Sequence, residues 1–331
     1  VVRTLYKASK DRNIDIRTMA DAQKLIVKDG KVVGVQFKQG KKPAQIVHAK
    51  AVVIASGGFS ANQAMVAKID PKLKGFATTN QPGATGDGII MGEKIGAATV
   101  DMKQIQTHPT VVPGNGEMIT EAVRGNGAIL VNHEGKRFYN EGAMGGGAAP
   151  ICFQPRRMVY TIYDTPTLEE TMEEGIRTRG GIEGEYLKRW RQDFQEELDS
   201  HNGVSLFVAD TLEELAELAG IEKEAFLQEV AHYNEMCKNG VDEDFGKNAR
   251  NLKPIVQGPF YAIFGKMATD GAFGGVLVNP KCEVYRADKQ GVIPGFYAAG
   301  DNASGVQANA GKPGDYRMKA FTDYQWAVDG G

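Results

Sequence analysis

Apolar and polar residues alternate along this chain in distinct ways, and each way predicts a different element. Continuous apolar character marks Ala51-Val-Val-Ile-Ala55, which follows Lys50 and ends at Ser56-Gly-Gly58. Such a run predicts a strand covered on both faces, as in a parallel sheet. Every-second-residue alternation marks 24–27 and 32–37, separated by Lys28-Asp-Gly30, and predicts a hairpin with a further edge at 46–49. Short strands are expected at 14–16, 128–132, 160–163 and 259–263. A turn and then a short apolar strand within 291–298 end at Ala298-Ala-Gly-Asp301.

Helical spacing accounts for most of the remainder. Residues 1–13 read as a helix with Leu5 and Ala8 inward and Lys7, Lys10, Asp11 and Arg12 outward. Ser60 and Gln63 have capping-box spacing before a helix over 61–68. The loop Gly83-Ala-Thr-Gly-Asp-Gly88 leads into a helix over 89–95, offering backbone donors and one carboxylate at its start. From 151 to about 258 the pattern is largely helical. Thr211-Leu-Glu-Glu214 is a second capping box before Leu215 and Leu218, and Gly220 closes that helix. Residues 222–238 carry Phe226, Leu227, Val230, Tyr233 and Met236 on one face. The charged stretch 183–199 predicts a solvated helix with Trp190, Phe194 and Leu198 inward.

Composition narrows the class. The 331 residues are 42% hydrophobic and 24% charged, as in an ordinary globular protein large enough for two cores. A net charge of -2 gives no basic face for nucleic acid or an anionic membrane. No apolar stretch approaches the roughly 20 residues of a membrane helix. Cys152, Cys237 and Cys282 are odd in number and lack metal-ligand spacing, so neither a disulfide framework nor a metal is expected. Glycine is abundant, 41 residues, which suits many close approaches of backbone to a ligand.

The candidate chemistry gathers at the ends of the two buried strands. In open α/β sheets ligands bind outside the carboxyl ends of strands, and the glycines after Ile54 allow a sharp turn there. An acid such as Asp301 can accept hydrogen bonds from ribose or ribityl hydroxyls. With Asn80-Gln-Pro-Gly-Ala-Thr-Gly-Asp-Gly88 between Ala55-Ser-Gly-Gly58 and Ala298-Ala-Gly-Asp301, the chain resembles the fumarate reductase/succinate dehydrogenase-type FAD flavoproteins over nearly its whole length. The match is most specific at Thr120-Glu-Ala-Val-Arg-Gly125.

The resemblance implies an α/β fold: part of a Rossmann-like FAD-binding domain with a β-meander over 1–105 and 266–331, and an inserted α+β capping domain over 106–265. It implies FAD contacts at Ala22, Ser56, Gly57, Gly58, Asp87, Asp301 and Ser304. It makes His108 and Thr120 lining residues of the substrate pocket, and Glu121 and Arg124 a proton relay. Read from spacing alone, Glu121 and Arg124 are three apart on a helical turn and can equally be a surface ion pair worth about 0–1 kcal/mol. The family's Gly-x-Gly-x-x-Gly fingerprint does not follow a strand near Val1, so the chain is expected to be an internal piece of a longer protein. A small-molecule substrate and an electron donor, such as a cytochrome or FMN domain, are the implied partners.

Three departures set the functional expectation. Gly145 stands where the family has its acid arginine, Asp270 and Gly271 where it has carboxylate-gripping histidines, and Gly311 where it has a clamp arginine. Each lost charge-assisted hydrogen bond costs about 1.5–3 kcal/mol, so selectivity for fumarate is expected to be gone. The expected activity is reduction or desaturation of a C=C/CH–CH bond conjugated to a carbonyl, on a larger or neutral enone-type substrate. A fumarate reductase with rearranged clamps and a non-catalytic flavin carrier are the alternatives. Asn302-Ala-Ser304 and Pro313-Gly314 also resemble 3-ketosteroid dehydrogenases, with Ala310 at their tyrosine position. Tyr316 and Arg317 are close by as candidate proton donor and substrate contact, and Tyr139 is a further donor candidate.

Overall fold

The computed structural model describes residues 2–112, 119, 121–142, 154–155, 158–178 and 205–304. In chain order, helix α1 (Val2–Asp11) precedes strands β1 (Ala20–Lys28), β2 (Lys31–Gln39), β3 (Gln45–His48) and β4 (Val52–Ile54). Then come α2 (Gln63–Ile69), β5 (Ala77–Thr78), α3 (Asp87–Lys94), β6 (Thr99–Val100) and β7 (Ile105–Val111). Helix α4 (Glu121–Gly125), β8 (Ile129–Asn132), β9 (Met158–Asp164) and α5 (Thr165–Thr178) follow. After β10 (Leu206–Ala209) come α6 (Leu212–Ala219), α7 (Lys223–Asn239) and the long β11 (Phe260–Ala272). The last strands are β12 (Gly275–Leu277), β13 (Glu283–Tyr285), β14 (Val292–Ala298) and β15 (Ala303–Ser304).

These elements divide into two compact units. Unit one is 1–70, 82–105 and 271–331; unit two is 71–81 and 106–270. Unit one holds the antiparallel meander β1–β2–β3, the sheet β13–β14–β4 and the sheet β15–β12–β6. The β1–β2 hairpin turns at Asp29-Gly30, both at positive φ, as its Asp-Gly sequence predicts. Strand β4 runs parallel to β14, with Val52 opposite Phe296 and Ile54 opposite Ala298. Only one face of β4 is covered within the unit: Ile54 is buried and Val53 is 59% exposed. The expectation of a strand covered on both faces fails at Val53.

Unit two is built on a sheet in the order β10–β11–β9–β8, with β5 and β7 also pairing with β11 among the described residues. Its core packs Ile129, Val131, Tyr160 and Ile162 of the sheet against Leu215 of α6 and Phe226, Val230, Tyr233 and Met236 of α7. The stripe predicted on α7 is therefore the face it buries. Thr211 caps α6 by accepting from Glu214 N at 3.2 Å, and Gly220 ends it in the left-handed conformation. Leu218, expected inward, is 58% exposed because the α6 face toward the core is Leu215, Ala216 and Ala219. No helix among the described residues is long and apolar enough to cross a membrane.

Three further expectations are corrected. Residues 14–16 form no strand. Helix α1 buries no residue, and Leu5 is 62% exposed. The cap of α2 is Asn62, whose Oδ1 accepts from Met65 N at 3.0 Å; Ser60 is fully buried, and Gln63 is already the first helical residue. The helix expected over 183–199 lies outside the described residues.

Candidate active site

In unit one the carboxyl end of β4, the start of α3 and the end of β14 converge. Gly57 has φ of 84°, which lets the chain leave β4 sharply. A Cβ on buried Gly58 would stand 3.4 Å from the Asp301 Cβ and 3.3 Å from the Ala272 carbonyl oxygen. A Cβ on Gly88 would meet the Asn302 Oδ1 at 2.5 Å and the Ser56 Oγ at 2.9 Å, so only glycine lets α3 approach this closely. Ser56 Oγ donates to Asn302 Oδ1 at 3.3 Å. Asn302 is fully buried, yet its Nδ2 has no partner among the described residues. An orphaned buried amide donor is costly, and here it lies beside the Ser-Gly-Gly turn, through the Ser56 hydroxyl that bonds the same side chain.

The other unit-one candidates are more peripheral. Asp87 is exposed and accepts from Thr85 Oγ1 at 2.6 Å. It does not cap α3: the N-cap is Gly86, in the left-handed conformation with no side-chain bond. Ser304 is buried and its Oγ donates to Asp101 Oδ2 at 3.1 Å, so its hydroxyl is already engaged. Asp301 is half-buried in the short helical turn after β14. Ala22 is exposed at a bulge in β1.

Unit two carries the candidates for substrate and proton chemistry. His108, on β7, is buried; with its proton on Nδ1 the ring donates to the Thr110 carbonyl at 2.9 Å. Arg124, on α4, is 5% exposed and its Nη1 donates to the Tyr139 hydroxyl at 3.3 Å. The Tyr139 ring stacks on Phe138 at 5.3 Å. Asp270, near the end of β11, accepts from Thr79 Oγ1 at 2.6 Å, and its carbonyl accepts from Asn80 Nδ2 at 3.2 Å. Strand β5 runs parallel to β11 here, with Thr78 opposite Thr269, and this pairing brings Thr79 to Asp270. The side chain of Glu121, and Thr120, Gly145, Gly311, Tyr316 and Arg317 altogether, lie outside the described residues.

Two site residues escaped the sequence reading. Asn302 was legible only as the residue after an acid at a strand end and as the head of the Asn302-Ala-Ser304 resemblance, with no role of its own. Thr79 was legible only as the residue before Asn80-Gln-Pro-Gly. Each is defined by a partner about 190 residues or more away, which no local spacing reveals.

Residues 1–315 match the family described as FAD binding domain. The chain is 39% identical over 310 residues to a fumarate reductase (cytochrome) of Shewanella frigidimarina, covering 92% of this chain and 50% of that protein. It is 34% identical over 325 residues to an NADH:acrylate oxidoreductase of Vibrio harveyi, covering 96% and 30% respectively. Among solved structures, the open conformation of a flavocytochrome c3 fumarate reductase is similar with a TM-score of 0.75 and 30% identity, covering 99% of this chain and 54% of that one. The chain thus spans about half the length of the Shewanella fumarate reductase.

Proposed function

This chain belongs to the FAD binding domain family, among fumarate reductase-like flavoproteins whose cofactor is FAD, and from that premise we propose that it reduces or desaturates a C=C/CH–CH bond conjugated to a carbonyl, on a larger or neutral enone-type substrate rather than fumarate. The Asp270 carboxylate, held by the Thr79 hydroxyl at 2.6 Å, carries this reading. The resemblance puts carboxylate-gripping histidines at Asp270-Gly271. A carboxylate there repels a second one by about 4 kcal/mol at about 4 Å and an effective dielectric near 20. Gly145 and Gly311 likewise carry no charge where the resemblance calls for arginines.

The residues of unit one fit the cofactor. Ser56, Gly57, Gly58, Asp301 and the orphaned Asn302 amide would hold FAD, which when bound supplies hydride transfer. The chain's own task is then the proton. Arg124 orients the Tyr139 hydroxyl, and with Glu121 on the same helical turn it relays a proton toward the carbon beside the carbonyl. His108 and Thr120 line the substrate, and Tyr316 and Arg317 contribute from the carboxyl-terminal segment. An electron donor of the cytochrome or FMN type restores the reduced state.

The 39% identity to a fumarate reductase favours a second reading, the same chemistry on fumarate with rearranged clamps. The two separate in one experiment. The chain is incubated with FAD, desalted, reduced anaerobically with dithionite and mixed with fumarate, a neutral cyclic enone or a cinnamate-type acrylate. Faster reoxidation of the flavin absorbance by the enone or aromatic acrylate, by tenfold or more, is expected. Faster reoxidation by fumarate supports the second reading, and no reoxidation by any acceptor leaves a flavin carrier.

A further inference from the structure

Beside α4 lies a cluster of charged side chains with no exposure to solvent. Arg137 Nε and Nη2 donate to the two Glu141 oxygens at 2.8 and 2.9 Å, and Nη2 also reaches Asp242 Oδ2 at 2.9 Å. Lys247 completes the set, with Nζ 3.7 Å from Glu141 Oε2. Two cations face two carboxylates, so the cluster is neutral overall. Arg137 also lies over the rings of Tyr233 and Phe245, at 4.9 and 5.1 Å.

Lys247 does something the other three do not. Its Nζ donates to the Ala128 carbonyl at 2.9 Å, the Gly127 carbonyl at 3.2 Å and the Tyr233 hydroxyl at 3.3 Å. An ammonium has three donors, and all three are used. Tyr233, on α7, donates in turn to the same Gly127 carbonyl at 3.2 Å. These carbonyls belong to the turn that ends α4, where Gly127 has φ of 126° and a Cβ would stand 2.5 Å from the Lys253 Cβ. Asp242 presents the lysine: its Oδ1 accepts from Asp244 N and Phe245 N, and its Oδ2 from Lys247 N, which folds the loop after α7 inward.

We infer that Lys247 is a positioning residue for the reaction, pinning the carboxyl end of α4 so that Arg124 and Glu121 keep their register. This rests on the functional reading above, which makes those two residues the proton relay. A five-residue helix does not hold its shape by its own hydrogen bonds. Its far end must be fixed from outside, and a cation at a helix carboxyl end also matches the backbone dipole there. Packing alone gives no reason for a fully buried ammonium, which is costly without matched acceptors. Burial pushes the Tyr233 phenol well up, so it stays protonated and available as the second donor.

The test uses Lys247→Met, which keeps the stem and removes the donors, with Tyr233→Phe and Lys247→Arg as companions. Hydrogen exchange is measured on the intact chain, and kcat and KM on the FAD-loaded chain with the best acceptor. Lys247→Met is expected to speed exchange across 122–128 at least tenfold while amides of β8 and β9 hold, and to lower kcat at least tenfold at a KM within twofold. Tyr233→Phe is expected to act on the same segment more weakly, and Lys247→Arg to recover part of kcat. Unchanged exchange across 122–128, or exchange raised equally throughout unit two in both Lys247→Met and Tyr233→Phe, overturns the inference. If the wild-type chain turns over no acceptor, the functional reading fails, while the exchange result still decides whether Lys247 holds α4.

Discussion

Asp242 shows how one side chain ties a loop to its surroundings and makes the tie sensitive to acid. Burial alone would raise its carboxyl above the ordinary 3.8, but the Arg137 guanidinium and backbone N–H groups from Phe245 and Lys247 outweigh that and hold it lower. A depressed folded-state value means the stabilisation is present above about 3.8 and is lost as pH falls through the lower folded value. Chemical denaturation of the wild type between pH 5 and 2 should therefore show a falling midpoint. Asp242→Asn should be less stable at pH 5 and show a shallower decline, whereas an identical acid slope in both chains would remove Asp242 from this account. The resemblance drew attention to His108, Arg124 and Asp270 because each falls at a position where the family has pocket-lining, relay or carboxylate-gripping residues. Lys247 and Thr79 gave no such sign. A lysine in a polar run reads as solvated until Gly127 and Ala128, about 120 residues earlier in the chain, are found against it.

At the scale of elements, periodicity was informative wherever the covering layer is nearby in sequence. The β1–β2 hairpin, α6 with its Thr211 and Gly220 caps, and the α7 stripe all follow from local pattern. Phe226 is fully buried in the α7 face among Val230, Tyr233 and the sheet. Replacing it with alanine should cost about 3–5 kcal/mol, measured as a loss of urea midpoint. A loss below about 1 kcal/mol would mean that α7 does not anchor the unit-two core. Pattern was less informative for α1 and β4, whose apolar residues define a face without saying what covers it. Leu5 and Val53 stay exposed although both were expected inside. The α2 cap was misassigned because Ser60 and Asn62 are both good caps two residues apart. Burial of Phe59 and Ser60 decides between them.

At the scale of the whole molecule, the chain is not laid out as one unit after the other. It leaves unit one after Asp70, returns at Pro82, leaves again after Ile105 and comes back at Gly271. The resemblance implied an insertion over 106–265, whereas composition and periodicity contain no marker of one. The same threading has a consequence during synthesis. Strand β4 pairs with β14, so Val52–Ile54 emerges from the ribosome long before Phe296–Ala298 exists. At about 5–20 residues per second, the interval is on the order of ten seconds or more. Over that time unit two, contiguous from Gln106 to Asp270 apart from 71–81, can complete its sheet, while the β4–β14 pairing cannot form. Released chains truncated near residue 285 should therefore resist limited proteolysis across α6, α7 and β11 and be cut readily near β4; chains extended beyond Ser304 should protect both. Closure of the proposed flavin cradle therefore has to wait for the synthesis of β14.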